Sequence, residues 1–266
     1  VHNSHVIRDL EEKGAVFVEE LEDIPRGSIA IFSAHGVSRA VKEQAKNLGL
    51  QTINATCPLV SKVHRRVSRL NKINYDVVVI GHKGHPEVEG TCGHASGSVH
   101  VLSSPKEVRL LRVKDPSRVG CVTQTTLSVD DTAAMLEALR RQFPAISEPS
   151  RTDICFATGN RQSAVRELSR TVDLILVVGS KNSSNSNRLR EVAEKNSTPA
   201  HLIDHAGEID PAWLTRVERL GISAGASAPE YLVTELIARL RDNYEVSEVR
   251  EMEGEEETIC FQLPDI

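Results

Sequence analysis

The chain has 266 residues, a formal net charge of −5, and 39% hydrophobic, 26% charged and only 3% aromatic residues. That length buries a sizeable core, and with so few rings the core must come from Val, Ile, Leu and Ala. The composition offers no basic face and few stacking rings for nucleic acid, no apolar stretch near the roughly 20 residues that cross a bilayer, and no signal peptide, so neither a nucleic acid nor a membrane is expected as a partner.

Short β-branched runs alternate with helical patterns along the chain. AVFVEE from Ala15, IAIFSA from Ile29, TINAT from Thr52 and DVVVIG from Asp76 read as strands. So do VHVLSS from Val99, GCVTQT from Gly120, DICFAT from Asp153 and DLILVVGS from Asp173, then AHLIDH from Ala200, RLGISAG from Arg219 and TICFQL from Thr258. Several are near-continuous, as parallel strands covered on both faces should be. From Pro58, the residues Leu59, Val60, Val63, Val67 and Leu70 form a helical stripe, with Pro58 suited to the first helical position. Ser128 with Asp131 and Ser227 with Glu230 read as capping boxes opening two further helices. The acidic stretch EVREMEGEEE reads as exposed. Strand–helix alternation of this kind predicts α/β architecture with right-handed crossovers.

A polar turn recurs between strand and helix: SAHGVS, ATCPLV, GHKGHPE, TQTTLS, ATGNRQ, GSKNSSNSN and SAGASAP. Ligands in parallel α/β sheets bind beyond the C-terminal ends of the strands, so the unusual polar residues gather where chemistry is expected. GSKNSSNSN places hydroxyls, amides and N–H groups at a helix start, with Ser183, Ser184 and Asn185 among them. One cap, at Ser184 or Asn185, needs a single such residue; the run exceeds that need and favours an anion site. Ser227 is accounted for equally by a cap or a ligand role.

His35, His82 and His85 sit at strand ends, suited to phosphate, metal or proton transfer. His82, His85 and Glu87 also admit a zinc reading, although H-x-x-H-x-E on a loop is not a standard zinc spacing. Glu87 is either a proton donor whose pKa burial has raised, or a solvated acid in a first helical turn. The cysteines are Cys57, Cys92, Cys121, Cys155 and Cys260, an odd number with wide spacings and no C-x-x-C pair. Free or metal-binding thiols in a reducing cytoplasm fit better than disulfides. Cys57 opens a helix and Cys155 ends a strand, placements suited to a metal-binding thiolate. Cys121 and Cys260 lie inside predicted strands and read as core.

The stretches VHN, FSAHGVS, ATCPLVSKVH, GHKGHPEVEGT, TQTTLSVDDT, DICFATGNRQ, VVGSKNSSNSNRL and SAGASAPEYLV, in this order, resemble the 4-hydroxy-3-methylbut-2-enyl diphosphate reductases of the LytB type. The resemblance implies three pseudo-symmetric small α/β domains with parallel sheets, in a trefoil around a central 4Fe-4S cluster. On that basis the expected division is a partial first domain over 1–57, a second over 58–151, a third over 152–241, and a segment 242–266 packing back on the first. It implies Cys57 and Cys155 as cluster ligands, Glu87 and Thr125 beside the substrate hydroxyl, and His2, His35, His85, Ser183, Ser184, Asn185 and Ser227 around the diphosphate.

The implied reaction is reductive dehydroxylation to isopentenyl and dimethylallyl diphosphate in the cytoplasm, the last step of the methylerythritol phosphate isoprenoid pathway, with a ferredoxin or flavodoxin as electron donor. Two departures stand out. The family's first cluster cysteine belongs to a segment well before His2, which this sequence does not contain, and Gly159 stands where another Thr is expected. A zinc- or His-dependent phosphate-ester enzyme and an inactive diphosphate-binding fragment are the competing expectations.

Overall fold

Most of the β-branched runs become strands, and the amphipathic segments after them become the helices that cover those strands. The computed structural model describes residues 3–149, 152–254 and 261–262. His2, Cys260 and most of TICFQL, with much of the segment 242–266, therefore lie outside the described residues.

In chain order the elements are α1 (Ser4–Glu12), β1 (Ile29–Phe32), α2 (Arg39–Asn47), β2 (Gln51–Asn54), α3 (Pro58–Lys72), β3 (Asp76–Ile80), α4 (Pro86–Cys92), β4 (Val99–Leu102), α5 (Pro105–Val108) and β5 (Val119–Thr123). They continue with α6 (Val129–Gln142), α7 (Phe156–Leu168), β6 (Leu174–Val178), α8 (Ser184–Lys195), β7 (Ala200–Ile203), β8 (Leu220–Ala224) and α9 (Glu230–Asn243). Among the described residues no helix is long and apolar enough to cross a membrane.

The chain divides into two compact units. One comprises residues 17–155 and 259–266 and holds two parallel sheets, β1-β2 and β4-β3-β5. The other comprises residues 1–16 and 156–258 and holds the parallel sheet β7-β6-β8. The α/β class with three small parallel sheets is thus as the sequence suggests. In both three-stranded sheets the first strand is central, and all five of its residues are buried. One face of β3 packs Val77 and Val79 against Val63, Val67 and Leu70 of α3, while Val78 and Ile80 join Met135 and Leu139 of α6 on the other. Each such buried Val, Leu or Ile contributes on the order of 1.5–3 kcal/mol relative to exposure. Because the third strand also pairs with the first, the loops leaving β3 and β5 are neighbours, as are those leaving β6 and β8. Such loops form the crevice where a doubly wound sheet binds ligand.

Three expectations are corrected. AVFVEE forms no strand: Val16 is 84% exposed, and with no ladder partner among the described residues β-propensity alone does not make a strand. DICFAT is not a strand either; it is an irregular approach to α7, and Thr158, Gly159 and Asn160 belong to that helix rather than to a turn. Thr158 and Gln162 are buried along α7, so packing overrides the turn character of Thr-Gly-Asn. Ser227 caps nothing: Pro229 is the N-cap of α9 and provides no side-chain bond. Ser128 does cap α6, its Oγ accepting from the Asp131 N–H at 3.3 Å, and residues 248–254 of the acidic stretch are exposed.

Candidate active site

In the unit built on β3, the loop Gly81–His85 leads into α4. His85 is the N-cap of that helix, its Nδ1 accepting from the Glu87 N–H at 3.2 Å, and Pro86 takes the first position, where a missing N–H costs nothing. The short helix turns Glu87 inward, and only 2% of the residue is exposed, so the solvated-acid reading does not hold. One carboxylate oxygen accepts from the Thr125 N–H at 2.6 Å and the other from the Thr125 hydroxyl at 2.9 Å. Burial pushes the Glu87 carboxyl up to about 7; the two Thr125 bonds pull it back, and the Asp153 charge raises it further. A carboxyl poised there can hold or release a proton near neutrality.

Two residues beyond the sequence expectation complete this corner. Gln124 is buried, and its Oε1 accepts from the His82 N–H at 3.0 Å while its Nε2 donates to Thr126 Oγ1 at 2.9 Å. Each loop thus sends one side chain to the backbone of the other: Glu87 to Thr125 and Gln124 to His82. Asp153 has a fully buried side chain that accepts from the Thr123 N–H at 3.3 Å and faces Lys62 Nζ at 3.5 Å. Burial raises its carboxyl, with Lys62 opposing. Polar residues inside apolar runs, Gln in GCVTQT and Asp in DICFAT, were the signals available in the sequence.

Cys155 follows Asp153, and its N–H donates to the Thr125 carbonyl at 3.0 Å, which ties the cysteine to the Glu87–Thr125 pair. Cys57 is the N-cap of α3 and donates its N–H to the Ala34 carbonyl at 3.0 Å, beside His35. The His35 ring, with Nδ1 at 3.3 Å from Ser33 Oγ, meets the His85 ring edge-on at 5.8 Å between centroids. Both cysteines are partly exposed and outside any disulfide, and each immediately precedes a helix, which is the chemistry a cluster-binding thiol needs. Cys121 is core, as its place in the β5 run suggests; burial pushes its thiol up to about 12. The zinc arrangement gains no support: both Glu87 oxygens serve Thr125, and among the described residues no three His, Cys, Asp or Glu side chains are grouped to hold a metal ion.

In the other unit, the loop between β6 and α8 carries the Ser/Asn run. The cap is Ser183, one residue before the expected Ser184, with its Oγ accepting from the Ser186 N–H at 3.3 Å. Ser186 Oγ bonds Ser183 Oγ at 3.1 Å and fills the space above two glycines: a Cβ on Gly179 or on Gly225 would lie 2.2 Å from it. Asn185 is 6% exposed, yet neither polar atom of its buried amide has a hydrogen-bond partner among the described residues. Such a group costs about 1–3 kcal/mol unless a ligand satisfies it. Ser184 lies beside it, half-buried in the first turn of α8, and Ser227 is exposed in the loop after β8 with no capping duty. Ser180 Oγ accepts the Ser4 N–H at 3.2 Å, anchoring the start of α1 to this loop.

Comparison with known proteins places the chain in a family. The family model described as LytB protein matches residues 1–241. The chain is 54% identical over 264 residues to 4-hydroxy-3-methylbut-2-enyl diphosphate reductase 2 of Burkholderia mallei, covering 99% of this chain and 81% of the relative. It is 55% identical, with the same coverage, to 4-hydroxy-3-methylbut-2-enyl diphosphate reductase of Bordetella bronchiseptica. The solved E-1-hydroxy-2-methyl-but-2-enyl-4-diphosphate reductase of Plasmodium falciparum superposes with a TM-score of 0.96 at 37% identity, covering 99% of this chain and 83% of that one. The chain belongs to the LytB family.

Proposed function

We propose that this protein is a 4-hydroxy-3-methylbut-2-enyl diphosphate reductase, which removes the allylic hydroxyl of its substrate as water to give isopentenyl and dimethylallyl diphosphate. The relatives' names support this activity. The structural observation that carries it is Glu87, a buried carboxyl poised near neutrality and paired with the Thr125 hydroxyl. The reaction consumes two electrons and two protons for each hydroxyl lost as water and each hydrogen gained by the carbon skeleton. Glu87 supplies a proton to the leaving oxygen, and Thr125 orients that hydroxyl while steadying the carboxylate left behind.

The diphosphate is assigned to neutral donors at the start of α8, namely Ser183, Ser184 and Asn185, together with Ser227, His35, His85 and His2. A helix N-terminus with an unsatisfied buried amide suits such an anion. Cys57 and Cys155 are assigned as two thiolate ligands of a 4Fe-4S cluster, and their placement as partly exposed thiols before helices supports this. When bound, the cluster supplies electrons and a Lewis-acidic iron. A ferredoxin or flavodoxin is the assigned source of those electrons, and the cytoplasm the assigned compartment. The test is anaerobic reconstitution with iron and sulfide followed by a turnover assay with a dithionite-reduced electron carrier. Conversion to the two five-carbon diphosphates upholds the assignment; iron uptake without conversion rejects it.

A further inference from the structure

Beneath the loop that carries His35 lies a second pair of histidines, separate from those assigned to substrate. His64, on α3, and His94, just after α4, stack with centroids 4.1 Å apart and planes within 19° of parallel. The His64 ring fills the space behind Gly36, where a Cβ would lie 2.5 Å from Cε1, and Gly36 holds a left-handed φ of +74°. His94 Nε2 lies 3.1 Å from the Val37 carbonyl. A carbonyl only accepts, so this nitrogen carries the proton.

The loop is held from the α4 side as well. A Cβ on Gly90 would meet the Gly36 carbonyl at 2.8 Å, and the Arg39 N–H donates to the Gly93 carbonyl at 3.4 Å. The Ser68 hydroxyl bridges the His64 and His94 carbonyls at 3.0 and 3.1 Å and accepts from Arg39 at 2.5 Å. Burial, with His94, Lys42 and Arg65 adding to it, pushes His64 down to about 3, and burial also lowers His94, so the stack is neutral. His64 Nε2 has no hydrogen-bond partner among the described residues, so its ring acts as a packing surface.

We propose that His64 and His94 are positioning residues: the stacked pair seats residues Gly36 and Val37, and thereby fixes His35 edge-on to His85. The proposal rests on the reading that His35 contacts the diphosphate. Within the seat the His94 donor that holds Val37 does the positioning, while the His64 ring fills the space behind Gly36. His94→Phe keeps a ring without the donor, and His94→Gln keeps a donor without the ring.

The experiment measures binding of inorganic diphosphate by calorimetry to the purified full chain, wild type and His94→Phe, His94→Gln and His35→Asn, with melting curves alongside. Loss of the Val37 bond, at about 1 kcal/mol, predicts roughly fivefold weaker binding for His94→Phe. His94→Gln is expected within about twofold of wild type, since its amide replaces the donor. Should His94→Phe fail to fold, Gly36→Ala carries the test, because its Cβ pushes the loop off His64; weakened diphosphate binding is expected again. Unchanged binding in His94→Phe, or equal loss in His94→Phe and His94→Gln, overturns the seat while a weakened His35→Asn leaves the diphosphate reading intact. Unchanged binding in His35→Asn rejects that reading, and the seat with it.

Discussion

Thr125 offers Glu87 both its backbone N–H and its hydroxyl, at 2.6 and 2.9 Å, one to each carboxylate oxygen. A carboxylate so held is stabilised in place, yet burial outweighs the two bonds and raises the group from 4.5 to about 7.

The first prediction follows from the sign of that shift. Folded Glu87 holds its proton up to about pH 7, whereas in the unfolded chain it ionises near 4.5. Stability from this group is therefore full below 4.5 and is lost as pH rises toward 7, by roughly 3 kcal/mol in all. Glu87→Gln should flatten that slope in urea unfolding curves taken between pH 4.5 and 8, and should reduce turnover of the reconstituted enzyme by about 10²–10⁴-fold. An unchanged slope in the variant would show that Glu87 does not titrate in this window.

The neighbours of Glu87 should move its titration in opposite directions. Thr125→Val removes a bond that favours the ionised form and should raise the Glu87 pKa, with about 1 kcal/mol lost in stability. Asp153→Asn removes a like charge and should lower it. Carboxyl NMR with labelled glutamate reads both, and the pH profile of turnover should shift in step. Two shifts of the same sign would contradict the arrangement.

The cysteines should sort by environment. In the apo protein under native conditions iodoacetamide is expected to modify Cys57 and Cys155 and to spare Cys121, whose thiol is buried and pushed up to about 12. Reconstitution with iron and sulfide should then protect the first two, as peptide mass mapping would record. Cys121→Ser should leave iron content unchanged, while Cys57→Ser and Cys155→Ser should lower it.

Crowding around Ser186 gives a fourth expectation. Gly179→Ala or Gly225→Ala places a methyl 2.2 Å from Ser186 Oγ and must displace the start of α8. Inorganic diphosphate binding should fall by about tenfold or more, while the double variant with Ser186→Gly recovers part of it. No recovery in the double variant would mean that the clash lies elsewhere.

The fold was legible wherever a strand is buried on both faces, because DVVVIG and DLILVVGS carry that environment in their composition. It failed at AVFVEE and DICFAT, where apolar character is present but no ladder partner is found among the described residues; pairing is a long-range property that a local run does not encode. Among the site residues, Glu87 was readable as a candidate, but its burial depends on how α4 packs. Gln124 and Asp153 act through the backbone of residues far along the chain, His82 at a separation of 42 and Thr123 at 30. The capping box read at Ser227 does not form, since Pro229 is the N-cap of α9.

The reciprocal bonds between the two loops, Gln124 to His82 and Glu87 to Thr125, work like a bracket with two bolts driven from opposite sides. Neither loop can slide along the other without breaking both, and the Glu87–Thr125 bond is buried. The Glu87 carboxyl is therefore fixed in one orientation by the fold itself. If Glu87 is the proton donor proposed above, its orientation at this corner is in place without any loop having to close over it.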